Sequence, residues 1–197
     1  MGSPPATADR ILAAAVELTT LTGWARVTMP AVAARAGVSR QTVYNEFGTR
    51  GRLAEAMILH ELQAFLSAVD RAFDLHRPDP IASIEAATHA VLELAHGHGL
   101  LRAIVGAEHG SNTQLLPLLT SRGAGVQAAA TEVVAARLVD CRPGADPAAL
   151  LPMAAVIVRL VLSNVTQPGG TVVQVAAQVA WVARCLLDQP EDAGFVP

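Results

Sequence analysis

The stretch from Thr28 to Arg52, TMPAVAARAGVSRQTVYNEFGTRGR, leaves this chain few ways to fold. Two short runs of helix-forming residues flank Ala36-Gly37-Val38-Ser39. Gly37 can take the positive φ that a tight interhelical turn needs, and Ser39 can cap the helix that follows. Val32, Ala33 and Ala36 then face inward from the first helix, while Val43 and Phe47, four residues apart, dock the second. In a DNA-binding helix-turn-helix the first helix braces in this way and the second enters the major groove. A plain capped αα-hairpin has the same local signature, so the turn by itself leaves both readings open.

Chemistry favours DNA. Arg40, Gln41 and Thr42 sit at the N-terminal end of the second helix, within reach of base edges; arginine pairs with guanine and glutamine with adenine. Tyr44 and Asn45 offer further groups to phosphate or base. Arg50, at the start of the next helix, can grip a phosphate, and Thr28 can cap the bracing helix. Charge is distributed to match. The chain as a whole carries −3, but Trp24 to Arg52 holds five arginines against one acid, Glu46, a net +4. From Glu61 onward eight arginines face thirteen acids. A basic segment on an acidic body is what a small DNA-reading module joined to a partner domain looks like.

The rest of the chain reads as all-α. Period-2 alternation is nearly absent, and Gly and Pro punctuate about nine helical runs. We expect a three-helix DNA-binding domain over 1–50, an effector-binding and dimerisation domain over 51–190, and a flexible tail over 191–197. Residues are 52% hydrophobic and 16% charged, oily for a chain in water, so apolar surface is expected in an oligomer interface, a cavity or both. The last two helices carry a surplus of it. Val156 and Leu160 on one, and Val175, Val179 and Val182 on the other, suit a four-helix interface in a homodimer, although monomer core is the alternative. Phe65, Leu100, Leu101, Leu115, Leu116 and Leu119 are candidates to line an apolar cavity, and they serve equally well as ordinary core. Arg159, inside an apolar helix, would pair with an acid across an interface or anchor a ligand carboxylate.

Other functions find less support. The longest oily stretch, Met153 to Leu162, carries Arg159 and falls short of the roughly 20 residues of a membrane span. No secretory signal is visible, and two distant cysteines, Cys141 and Cys185, lack metal spacing, so a reducing cytoplasm is expected. His89, Glu93, His96, His98 and His109 lack zinc-site spacing and read as surface or pocket histidines; no metal and no cofactor are expected. There is no nucleophile elbow, P-loop or dinucleotide fingerprint, so no enzyme is expected. Arginine without a single lysine points to a GC-rich bacterial genome.

The residues from Val38 to Arg50 resemble the signature of the TetR family of bacterial regulators. That signature has a turn glycine, a hydrophobe, a serine, a variable tip, Thr-hydrophobe-Tyr, a Phe, and a basic residue three positions beyond it. The likeness spans about residues 8 to 60, and Thr28 also matches. It implies DNA contacts by Thr42 and Tyr44, the latter mainly to phosphate. It places Arg40, Gln41 and Asn45 at variable base-reading positions, and puts Arg50 where the family has a phosphate-binding lysine. Glu46 departs from the pattern; it would pair with Arg50 four residues on, or accept from a cytosine amino group. The resemblance further implies a dimeric repressor on a palindromic double-stranded DNA operator, released by a small apolar effector such as a drug-like molecule, a fatty acid or another lipid. The rival is an all-α protein-interaction module with a vestigial helix-turn-helix.

Overall fold

The computed structural model describes residues 6–97 and 123–188. Leu100, Leu101, Leu115, Leu116, Leu119, His98, His109 and the tail over 191–197 lie outside them. Among the described residues there are eight α-helices, one turn of 3-10 helix and no strand. The helices are α1 (Thr7–Thr22), α2 (Met29–Ala36), α3 (Arg40–Phe47), α4 (Arg50–His76), α5 (Pro80–Gly97), α6 (Gly123–Cys141), α7 (Pro147–Thr166) and α8 (Val172–Leu187); the 3-10 turn is Trp24–Arg26.

The chain divides into two compact units, the described parts being residues 6–63 and residues 64–97 with 124–188. The boundary falls within α4 rather than before it. Leu53, Ala54 and Met57, from the first two turns of α4, are fully buried in the first unit's core beside Ile11, Ala15, Trp24, Val32 and Val43. A domain ending at residue 50 would strip that core of one wall.

Capping chemistry sets most helix starts. Thr28 accepts from the Ala31 N–H at 3.3 Å, Ser39 from Thr42 at 3.0 Å and Thr49 from Arg52 at 3.2 Å. Asp79 and Asp146 cap α5 and α7, and Thr171 with Gln174 forms a capping box on α8. α1 begins at Thr7 with Ala6 in the cap position and no side-chain cap. Pro152 sits inside α7, beyond its first turn.

The second unit packs α8 against α5 and α7 around Phe73, Ile84, Leu92, Leu138, Ile157 and Val179. Its polar tie is an ion-pair network. Arg137 on α6 reaches Asp70 at 2.8 Å and Asp74 at 2.9 Å, one helical turn apart on α4, and Arg77 reaches Asp140 at 2.9 Å. The oily stretch from Met153 is longer than the sequence implied: α7 has 20 residues and is long and apolar enough to cross a membrane. Its inner face, Leu150, Ala154, Ile157 and Val158, is core of the unit.

Candidate nucleic-acid interface

The turn between α2 and α3 is held from three sides. Gly37 lies at φ 66°, in the left-handed region, and its N–H reaches back to the Ala34 carbonyl at 3.3 Å. The Val38 N–H bonds the Ala33 carbonyl at 3.0 Å. From α1, Arg10 donates to the Ala36 carbonyl at 2.7 Å, so the exposed end of α2 is satisfied by a cation that complements its dipole. A Cβ at residue 37 would stand 3.3 Å from that guanidinium, on a backbone that L-residues avoid. Glu17 and Arg35 form a forked ion pair that ties α1 to α2, with Arg35 Nε to Glu17 Oε2 at 2.7 Å. The guanidinium beside Glu17 holds its carboxyl below the usual carboxylate range.

On that support α3 presents its outer side. Val43 is fully buried and Phe47 half-buried. Arg40, Gln41, Tyr44, Asn45 and Glu46 are exposed, and Thr42 is half-buried beside the Ser39 hydroxyl at 2.8 Å. Gln41 Nε2 donates to Asn45 Oδ1 at 2.8 Å. Thr28 and Ser39 are both exposed, and each spends an acceptor lone pair on its cap.

Arg50 is placed differently from the expectation. It donates to the Trp24 carbonyl and lies 4.7 Å from the centroid of the Trp24 ring, half-buried. Among the described residues no ion pair joins it to Glu46. The expected four-residue spacing fails because Gly48, at φ 68°, ends α3 between them, so the two residues stand on different helices. Arg35 is likewise taken by Glu17. Among the described residues of the first unit, the exposed arginines whose side chains are taken neither by a carboxylate nor by a backbone carbonyl are therefore Arg26, Arg40 and Arg52. Arg10 and Trp24 hold the turn, and Arg52 stands exposed near Gly48; the sequence reading singled out none of the three. The partners of Arg10 and Trp24 lie 26 residues away, beyond any local pattern. Arg52 was visible only as one of the five arginines.

Comparison with known proteins agrees with this geometry. Residues 11–57 match the family model for bacterial regulatory proteins of the tetR family, and residues 79–184 match the C-terminal domain of bacterial tetracyclin repressors. The chain belongs to the TetR family. It is 28% identical over 173 residues to the HTH-type transcriptional regulator AlkX of Mycobacterium tuberculosis, covering 87% of this chain and 81% of that protein. It resembles the crystal structure of the TetR family repressor AlkX from Dietzia sp. strain DQ12-45-1b, implicated in biodegradation of n-alkanes. That match has a TM-score of 0.73 at 25% identity over 94% of this chain and 98% of the other. A TetR-family regulator from Streptomyces coelicolor shares the fold at a TM-score of 0.63 and 20% identity, covering 92% and 98%. This is a TetR-family transcriptional regulator, and regulators of this family bind DNA as dimers and often take a small-molecule effector.

The second unit redistributes the remaining expected positions. Val175 and Val179 are 2% and 3% exposed and belong to the unit's own core, because α8 turns them toward α5 and α7. Leu160 and Val182 are half-buried, and Val156 is 37% exposed. The outward apolar positions of α7 and α8 are Leu151, Val156, Val173 and Trp181, the last two 65% and 66% exposed. Apart from Gln174, Gln178 and Arg184, every position of α8 carries an apolar or small residue, so pattern alone could not orient the helix. Arg159 is exposed on α7 near Val156 rather than turned inward to a cavity, and Phe65 is half-buried on α4. His96 Nδ1 lies 2.8 Å from the Leu92 carbonyl, and the described residues contain no group of three metal-ligating side chains.

Proposed function

We propose that this regulator is a repressor that binds a palindromic operator as a homodimer and leaves it when an apolar effector binds. The observation that carries the DNA half is α3 itself. A glycine turn, two hydroxyl caps and Arg10 fix a short helix whose exposed side offers Arg40, Gln41, Tyr44 and Asn45. One such helix reads few bases, so a two-fold pair spaced by about 34 Å is needed to read two half-sites. Dimerisation is supported by Leu151, Val156, Val173 and Trp181, large apolar side chains left exposed on α7 and α8 of one subunit. An apolar effector fits the oily composition and the n-alkane connection of the Dietzia relative. The reader acts where the chromosome is, in the cytoplasm. Residues 1–63 carry DNA reading, and the remainder carries effector response and assembly.

Phosphate contacts pass to Arg40, Arg52 and Tyr44, with Thr28 and Ser39 donating their hydroxyl hydrogens, while Arg50 positions the turn at Trp24. The test is fluorescence anisotropy on duplexes from the gene's own upstream region over a range of salt. Affinity falls steeply with salt, and Arg52→Ala lowers the slope by about one unit per subunit for all sequences alike. Titration with n-alkanes and with fatty acids then releases the duplex. Salt-independent binding would favour the protein-interaction reading, and duplex affinity indifferent to every apolar compound would remove the effector half.

A further inference from the structure

We propose that Gln41 and Asn45 act as a single reading unit that selects an adenine in the major groove of each half-site. This rests on α3 being the recognition helix. The two residues are four apart, both exposed, and lie across α3 from the buried Val43. The Gln41 amide nitrogen donates to the Asn45 carbonyl oxygen at 2.8 Å.

That bond determines what the pair can offer. Each amide has one carbonyl and one NH2 group. With one amide donating to the other, the groups left uncommitted are a carbonyl on Gln41 and an NH2 on Asn45. If both amides are turned over, the roles exchange and the outcome stays the same: one acceptor and one donor, on neighbouring side chains. Among the four bases, adenine presents the complement, an N6 amino donor beside the N7 acceptor. Guanine sets two acceptors, O6 and N7, against the pair's carbonyl. Thymine offers an acceptor and a methyl group, and cytosine a donor alone. The bond also orders both side chains before DNA arrives, so less rotamer freedom remains to be lost on binding.

A lone glutamine can also read adenine. The distinguishing property of the pair is that Asn45 matters at the same base as Gln41. Binding sites are selected from a random duplex pool with the full-length protein, and each base pair of the best site is then varied. We expect one A·T pair per half-site whose change to G·C costs about tenfold in affinity. Gln41→Leu and Asn45→Leu each flatten the preference at that pair, and the double variant loses no more than either single one. Preferences at other pairs persist, which shows that the variants are folded. In the wild type, 7-deazaadenine and purine without its 6-amino group each cost several-fold at that position; in the leucine variants neither does. The proposal is overturned if Asn45→Leu keeps the adenine preference, if the two variants relax different base pairs, or if guanine is preferred there. A pool in which the wild type enriches no sequence overturns it differently, by removing the reading of α3 as the recognition helix.

Discussion

The two units of this regulator solve opposite problems with the same residue type. In the first, two arginines run to backbone carbonyls, Arg10 to Ala36 and Arg50 to Trp24, and one, Arg35, to a carboxylate. In the second the balance is reversed: Arg137 and Arg77 run to carboxylates on α4 and α6, and Arg142 to the Leu187 carbonyl. The first unit is built of short helices whose ends converge on the DNA-reading turn, so unsatisfied helix ends are its main liability, and cations and caps are spent on them. The second unit is built of long helices whose faces matter more than their ends. Its charges staple helix to helix, and its surplus apolar surface is left facing outward on α7 and α8. Reading DNA demands fixed ends; assembly demands open faces.

The sharpest way to break this contrast is at Trp24, which is 3% exposed and carries both the 3-10 turn and the Arg50 guanidinium. Trp24→Ala removes a buried indole, a loss of about 3–5 kcal/mol. We expect a lower denaturant midpoint and lost operator binding, while circular dichroism keeps the helical signal of the second unit. Equal loss in both units would show that they are not separate in stability.

Next in size is Trp181→Glu. The ring is 66% exposed, so folding of the subunit hardly changes, but the charge would be buried twice across a two-fold interface. A tryptophan hot spot is worth about 2 kcal/mol or more, so sedimentation equilibrium should show the dimer dissociating at least about thirtyfold more readily. A variant that remains dimeric would move assembly away from α8.

The same contrast explains what the sequence could and could not disclose. In the first unit the information is local. Thr28, Ser39 and Thr49 act within three residues, and Gly37 within its own dihedral angles, so α3 was legible to the residue. The Arg50 contact was not legible because its partner, Trp24, lies in a 3-10 turn that no periodicity announces. In the second unit the information is tertiary. Val175, Val179, Val173 and Trp181 are all apolar on one helix, and only the packing of α5 and α7 decides which of them are inside. Arg159 was left with two readings for the same reason: an arginine in an oily helix can face an interface or a cavity until the outer face of that helix is known.

Caps allow a like-for-like comparison of smaller size. Ser39→Ala and Asp146→Ala each delete one helix N-cap and should each lower stability by about 1 kcal/mol in chemical denaturation. Only Ser39→Ala should also weaken DNA binding, since it frees the start of α3 and the Thr42 hydroxyl. If Asp146→Ala weakened binding as much, general stability rather than the geometry of the turn would govern affinity.

The smallest effect is electrostatic and turns on Glu17. Its carboxyl is depressed by the Arg35 guanidinium, so the ion pair stabilises the fold above the ordinary carboxylate value. That contribution is lost as pH falls through the lowered folded-state value. Both groups are exposed, so the gain is slight and screened by salt. Glu17→Gln should leave neutral stability nearly intact and make the acid limb of the stability profile shallower. It should also release Arg35 as a free cation on the DNA-reading unit. At low ionic strength the variant then binds all duplexes slightly more tightly and with a steeper salt slope, whereas Asp70→Asn in the second unit, which frees part of Arg137, changes neither. A salt slope that responded equally to both would mean that the field of the whole subunit, and not the first unit alone, is what the phosphates sense.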